Sequence, residues 1–252
     1  MFSLSGKVAM ITGASQGIGQ VIAQVLSEAG AHVVCLARTE ENIKSLADKI
    51  NGRGGSASHL PCDIRNGDVF SDSINTTVKQ HGRLDILINN AGVYLMTPVE
   101  GTVEDDWNKQ IATTLKAPFF CSQAVVPYMK KRGGGKIINI GSIFGEGGFP
   151  SSSAYCASKG GIKQLTRTMC LELRSFNIQV NTLSPGCVKT DLNEEYRSES
   201  PEFLSSLQGR FGEGDPWLDA KETAGTAVFL ACSDSDSVTG ANIMVDRGYS
   251  AY

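Results

Sequence analysis

Short apolar runs rich in β-branched residues alternate with amphipathic stretches along most of this chain. Val8-Ala9-Met10-Ile11-Thr12 reads as a strand, and Gly17 to Ala29 as a helix. His32 to Leu36 predicts a second strand and Glu40 to Ile50 a second helix; Ser56 to Leu60 and Val69 to His81 repeat the pair. Leu84 to Ile88, Lys136 to Ile140, Gln179 to Leu183 and Asn242 to Val245 supply four more strands. Between them fall a helical region from about Val103 to Lys131, interrupted by Pro118 and Pro127, a long helix from Ser152 to Phe176, and a helix from Glu222 to Ala231. Regular strand–helix alternation predicts a parallel sheet covered by helices on both faces.

The 252 residues suit one large α/β domain, and the 41 % of hydrophobic residues can fill its core. No repeat, low-complexity tract or linker divides the chain, so a single domain over residues 1–252 is expected. The poorest fit is Lys189 to Asp219, which is polar, charged and carries Pro201 and Pro216. It reads as a surface excursion, a loop of the kind that contacts substrate.

A net charge of −3 leaves no electrostatic footprint for nucleic acid or an anionic membrane. The first residues lack the basic start and long apolar core of a signal peptide, and no apolar run approaches the roughly 18 residues of a membrane span. Seven widely spaced cysteines with no C-x-x-C pair read as reduced, mostly buried side chains, which points to the cytoplasm. The three histidines have no ligand spacing, so no metal site is expected.

Two sets of residues carry chemistry. Thr12-Gly13-Ala14-Ser15-Gln16-Gly17-Ile18-Gly19 lies between the first strand and the first helix. Gly13 permits a tight turn, Gly17 lets backbone approach a pyrophosphate, and Gly19 lets helix and strand pack closely. The helix N-terminus adds free N–H groups and partial positive charge, and Ser15, Gln16 and Ile18 share that cradle. Arg38 follows the second strand where an NAD-selecting site carries an acidic residue; a guanidinium there suits a 2′-phosphate, so NADP(H) is favoured and NAD(H) is the alternative. Asp63 after the third strand could accept from the adenine amine, with Ile64 beside it. Asn90, Ala91 and Gly92 follow the fourth strand, and Gly92 leaves room for a ribose.

The second set is Ser142, Tyr155 and Lys159. Tyr155 and Lys159 stand four apart on a predicted helix, about one turn, and so leave the same face. Ser142 closes the strand before it. A phenol, an ammonium and a hydroxyl that converge at a strand end make an acid/base site without a metal.

These motifs, with Pro185-Gly186, occur in the order and at the intervals of the short-chain dehydrogenase/reductase family, which the chain resembles over nearly its whole length. The resemblance implies a seven-stranded Rossmann sheet, a homo-oligomer (dimer or tetramer), and hydride transfer between NAD(P) and a carbonyl or alcohol carbon. It implies that Tyr155 is the general acid/base, that Lys159 stabilises its phenolate and bonds the nicotinamide ribose, and that Ser142 holds the substrate oxygen. Pro185, Gly186, Val188 and Thr190 would face the nicotinamide, while Asn181 is structural. Two positions depart from the family. Thr114 stands where an asparagine completes a proton relay, with Thr113 the alternative if the register slips by one. Arg247 replaces a glycine after Asp246, at a segment that often lies between subunits. Substrate contacts are expected from Tyr94, Leu95 and Met96, from Ile143 to Phe149, and from the excursion, with Glu146 and Asn193 offering polarity. Rival readings are an NAD-dependent sugar, polyol or hydroxy-compound dehydrogenase and a cofactor-binding regulator without turnover.

Overall fold

The computed structural model describes residues 2–199, 204, 205, 207 and 215–251. All seven strands of the apolar pattern form, within two residues of their expected ends. The first six are β1 Val8–Thr12, β2 His32–Ala37, β3 Ser56–Pro61, β4 Ile86–Asn89, β5 Gly135–Ile140 and β6 Ile178–Pro185. Two short strands that the pattern did not announce, β7 Cys187–Val188 and β8 Trp217–Leu218, form a parallel ribbon of their own. β9 Asn242–Val245 returns to the main sheet, which is parallel throughout in the order β3-β2-β1-β4-β5-β6-β9.

The helices are α1 Gly17–Glu28, α2 Glu40–Gly52, α3 Gly67–His81, α4 Glu104–Ile111, α5 Ala117–Arg132, α6 Ser153–Leu173, α7 Glu194–Glu199 and α8 Ala220–Ala231. Strand alternation sorts the core onto two faces. Ala9 and Ile11 of β1 pack with Ile22 and Leu26 of α1 and Leu230 of α8. Val8 and Met10 pack with Phe70 and Ile74 of α3 and with Val125 and Met129 of α5. Each fully buried side chain of this size contributes about 1.5–3 kcal/mol of transfer free energy. The result is the doubly wound, three-layered Rossmann arrangement.

One expectation needs correction. The helical region after β4 is not interrupted by its prolines. It passes from α4 through a π-helical turn, Ala112–Lys116, straight into α5. Pro118 stands at the junction of the π turn with α5, and Pro127 lies inside the helix without ending it. The excursion after Lys189 has local structure of its own. It is tied at both ends by the β7–β8 ribbon and carries α7; its residues 200–203, 206 and 208–214 lie outside the described residues. Arg247, where a glycine is usual, takes the left-handed conformation with φ 52°. Its guanidinium donates to both Glu222 carboxylate oxygens at 2.8 and 2.9 Å and to the Asp215 carbonyl at 3.1 Å, and these contacts offset the backbone cost.

From β1 the chain winds outward through β2 to β3, and from β4 the opposite way to β6. The reversal opens a crevice at the carboxyl ends of β1 and β4, where α/β sheets take ligands.

Candidate active site

The turn from β1 into α1 forms one wall of that crevice. Gly13 is left-handed at φ 66°, and a Cβ there would fall 2.8 Å from the Ala91 Cα, so only glycine lets the β1 and β4 loops touch. Thr12 fastens them: its hydroxyl donates to the Ile88 carbonyl and accepts from the Asn90 and Ala91 N–H groups at 3.0 and 3.1 Å. Asn90 returns its amide to the Thr12 and Gly13 carbonyls, both at 3.0 Å. Nothing in the residues around Thr12 announced this clasp except its place at the strand end.

Gly13, Ser15, Gln16, Gly17 and Ile18 line a cleft of ≈ 410 Å³, whereas Gly19 packs behind it against the Asn90 side chain. The first turn of α1 has no side-chain cap and no acidic residue. Its N–H groups and partial positive charge therefore remain available to an anion in the cleft. Arg38 lines the far end beside Thr39. Asp63 is there too, but its carboxylate is gripped by Arg65, with Nε at 3.0 Å and Nη2 at 2.6 Å, and is held below the usual carboxylate range chiefly by that bond. Arg65 escaped sequence reasoning, although its position two residues after an aspartate is the spacing of a local Asx turn, which the Arg65 N–H closes at 3.0 Å. Ile64, Asn90, Ala91 and Gly92 complete this region, and Pro185, Gly186, Val188 and Thr190 line the opposite end.

The trio meets at that end. Ser142 follows β5 by two residues and caps a short 3-10 turn, Ile143–Gly145, its hydroxyl accepting the Phe144 N–H at 3.1 Å. A Cβ on Gly145 would lie 2.8 Å from the Lys159 carbonyl oxygen, so glycine lets the turn press onto α6. Ser142, Tyr155 and Lys159 all line the cleft, with the Ser142 hydroxyl on the side of the Tyr155 phenol. Burial pushes the Tyr155 phenol well above its ordinary value, and the Ser142 hydroxyl pulls it part of the way back. Lys159 is buried and donates to the Ile140 carbonyl at 2.6 Å, not to the phenol; its Nζ stands 5.5 Å from the Tyr155 ring centroid. Burial lowers it to about 8.

Other expected residues fall elsewhere. Thr114 is buried behind the cleft and exchanges hydrogen bonds with the Val93 backbone, while Thr113 faces the cleft. Glu146 is held by Lys163 at 2.7 Å and by Asn242, away from the cleft lining. Asn193 lines the cleft, but its amide caps its own turn, bonded to the Val188 carbonyl at 2.8 Å and the Thr190 N–H at 3.3 Å. Asn181 binds the Val238 carbonyl and Ala241 N–H, in keeping with a structural part. Among the described residues no group of three or more His, Cys, Asp or Glu side chains is placed to hold a metal, and no helix is long and apolar enough to cross a membrane.

An anion-ready helix start at a switch point, with a phenol, hydroxyl and ammonium at the far end of one cleft, defines a dinucleotide-dependent oxidoreductase. The short chain dehydrogenase model matches residues 7–201, and the chain belongs to that family. It acts on CH–OH or C=O groups with NAD(P). The chain is 38 % identical to 5-keto-D-gluconate 5-reductase of Escherichia coli K12 over 98 % of its own length and 97 % of the relative's. It is 36 % identical to trans-4-hydroxycyclohexanecarboxylate dehydrogenase of Sinomonas cyclohexanicum, over 97 % and 93 %. A crystal structure of gluconate 5-dehydrogenase from Burkholderia cenocepacia J2315 with NADP and tartrate superposes with a TM-score of 0.93 at 36 % identity, covering 100 % of this chain and 98 % of that one.

Proposed function

We propose that the chain is an NADP(H)-dependent carbonyl reductase and secondary-alcohol dehydrogenase in which Tyr155 moves the proton. The observation that carries this reading is the meeting of Ser142, Tyr155 and buried Lys159 on one cleft that Arg38 also lines. The cleft residues fit the cofactor: the uncapped start of α1 suits the pyrophosphate, and Arg38 with Thr39 suits the 2′-phosphate. NADP in the related Burkholderia structure is in keeping with this. Bound NADP(H) supplies hydride exchange at its nicotinamide.

The remaining steps belong to this chain's residues. Ser142 gives its hydrogen bond to the substrate oxygen and so holds it at the phenol. In reduction Tyr155 donates its proton to that oxygen; in oxidation it removes the same proton. Lys159 holds the ribose hydroxyls and favours the phenolate by its charge. Asp63 and Ile64 would border the adenine, Gly92 the ribose, and Pro185 to Thr190 the carboxamide end, all from positions on the cleft lining. Burial keeps the phenol protonated, so reduction is sustained at neutral pH while oxidation climbs as pH rises.

Two coarser features belong to the same reading. Exposed Phe120 on α5 and Leu171 on α6 support a homo-oligomer, a dimer or tetramer, which light scattering reads directly. Seven unpaired cysteines support a cytoplasmic location.

Fluorescence titration of the purified protein with NADPH and NADH, alongside turnover of Tyr155→Phe, tests the core of it. NADPH should bind about tenfold tighter, and Arg38→Leu should erase that margin. Tyr155→Phe should bind NADPH normally and lose about 10³-fold in turnover. Tighter NADH binding, or a Tyr155→Phe enzyme that still turns over, defeats the assignment.

A further inference from the structure

Ser142 is the one member of the trio that does not ride on α6. Tyr155 and Lys159 share that helix one turn apart, so the helix itself fixes their separation. Ser142 stands two residues beyond β5, at the head of the turn Ile143–Gly145. Its place beside the phenol depends on how that turn is held to the helix.

The turn's own backbone bonds do not hold it there. The Gly145 N–H donates to the Ser142 carbonyl at 2.9 Å and the Glu146 N–H to the Ile143 carbonyl at 3.0 Å, both within the turn. Glu146 reaches outward. One of its carboxylate oxygens accepts from Lys163 of α6 at 2.7 Å, and the other accepts from the Asn242 amide of β9. Asn242 in turn accepts the Ser184 hydroxyl of β6 at 2.6 Å. That hydroxyl lies against Gly141, the residue before Ser142, and leaves no room for a Cβ there. Lys163 is one turn beyond Lys159, where Gly145 presses on the Lys159 carbonyl. The turn is thus pinned to α6 twice, by close contact at Lys159 and by charge at Lys163.

The Glu146 and Lys163 side chains are 31 % and 23 % exposed, and a pair so open to water adds little stability by itself. Two bonds from one carboxylate to two separate elements do something else: they fix the turn's position. Glu146, Lys163 and Asn242 stand off the cleft lining, so their effect on the reaction must pass through Ser142.

We propose that Glu146 is a positioning residue for the reaction, its carboxylate clasped by Lys163 and Asn242 so that Ser142 is held beside Tyr155. The inference rests on the reductase reading above and adds to it a residue that does not touch substrate.

The test is NADPH oxidation by the full-length protein with cyclohexanone, acetone and 5-keto-D-gluconate, alongside NADPH titration and amide hydrogen exchange. Glu146→Ala should bind NADPH as the wild type does and lower kcat on the order of tenfold, while Glu146→Gln, which can keep the Asn242 bond, should stay within about threefold of wild type. Introduced into Ser142→Ala, the Glu146→Ala change should cost roughly nothing more, because the group it positions is gone. Exchange at the Phe144 amide should quicken about tenfold in Glu146→Ala, with the α6 amides unchanged. A Glu146→Ala enzyme with wild-type kcat, or one whose loss is as large in the Ser142→Ala background, overturns the positioning role and leaves the reductase intact. Unchanged exchange at Phe144 overturns the clasp. Tight NADPH binding by the wild type with no turnover of any ketone overturns the reductase reading, and this inference with it.

Discussion

Strand β5 has a buried lysine at each end, and the two are treated in opposite ways. Lys136, at the amino end, donates to Asp236 at 2.7 Å and to Ser235 at 3.3 Å. Lys159, reaching the carboxyl end from α6, has the Ile140 carbonyl as its hydrogen-bond partner, and burial lowers it to about 8. The contrast extends beyond the lysines. At the amino end Asp85 is gripped by Arg83 through two bonds of 2.6 Å and also accepts the Val8 N–H at 2.9 Å. At the carboxyl end the half-buried Tyr155 has the neutral Ser142 hydroxyl near it and no countercharge in hydrogen-bond contact. One end of the sheet satisfies its charges and holds the fold. The other leaves a charge and a phenol short of compensation, the condition under which their protonation can be put to work.

Replacing each lysine by methionine is the strongest way to break the comparison. Lys159→Met should cost about 10²-fold or more in turnover. It should also stabilise the protein. A lysine with a folded pKa of about 8 against 10.5 unfolded carries its penalty in full below pH 8. Stability then rises with pH between 8 and 10.5, because the unfolded chain keeps the proton that the folded one has lost. Less the bond to Ile140, the gain at pH 7 should be on the order of 1–2 kcal/mol, and it should vanish near pH 10.5. Lys136→Met should do the reverse, losing about 1 kcal/mol, since Asp236 remains solvated, and keeping its kinetics. Urea denaturation at pH 7 and pH 10.5 reads both. If the two variants lose stability alike, the ends of β5 do not differ as argued.

The amino edge carries its own pH sensitivity, which should leave catalysis untouched. His32 lies between Ser56 at 2.7 Å and Ser58 at 3.0 Å, with the His81 ring 4.0 Å away. Burial first, and the nearby His81 charge second, push it down to about 4. The folded state therefore prefers the neutral ring. Its contribution is complete above pH 6.5 and is lost as pH falls from 6.5 toward 4. His32 is half-buried and partly screened by solvent, so the loss should be about 1 kcal/mol. His32→Gln should flatten that part of the stability–pH curve while turnover at pH 7 is unchanged. A curve as steep as the wild type's would place the acid sensitivity elsewhere.

The same division decides what the sequence could reveal. β1 to β6 and β9 were legible because alternation along a strand is local, and Tyr155 and Lys159 because four residues make one turn of one helix. Ser142 was legible from its place at a strand end. What was hidden depends on distant partners. Glu146 looked like a substrate contact until Asn242, 96 residues away, met it. Cys187–Val188 could not read as a strand, because its partner Trp217–Leu218 is two residues long and lies beyond the whole excursion. Arg247 could adopt φ 52° because Glu222 and Asp215, both remote, repay it in contacts. The π turn at Ala112–Lys116 has no composition of its own. It holds Thr113, which lines the cleft, and Thr114, which is buried.

Thr114 gives the finest cut between the two kinds of site. Its hydroxyl accepts the Val93 N–H at 3.2 Å and donates toward the Val93 carbonyl at 3.4 Å, directly behind Gly92. The geometry makes it a fastener of the loop after β4, which lines the cleft, with no contact to Tyr155 or Lys159. Thr114→Ala should therefore lose about 1 kcal/mol of stability, one buried hydrogen-bonding group, and lower kcat two- to fivefold, roughly the effect of a loosened loop. Because a loop fault acts on cofactor position, the KM for NADPH should rise with it and the pH profile should keep its shape. A proton-relay member would instead lower kcat at constant KM and shift the profile. A loss as deep as that of Tyr155→Phe, with NADPH binding unchanged, would move Thr114 out of the supporting frame and into the path of the proton.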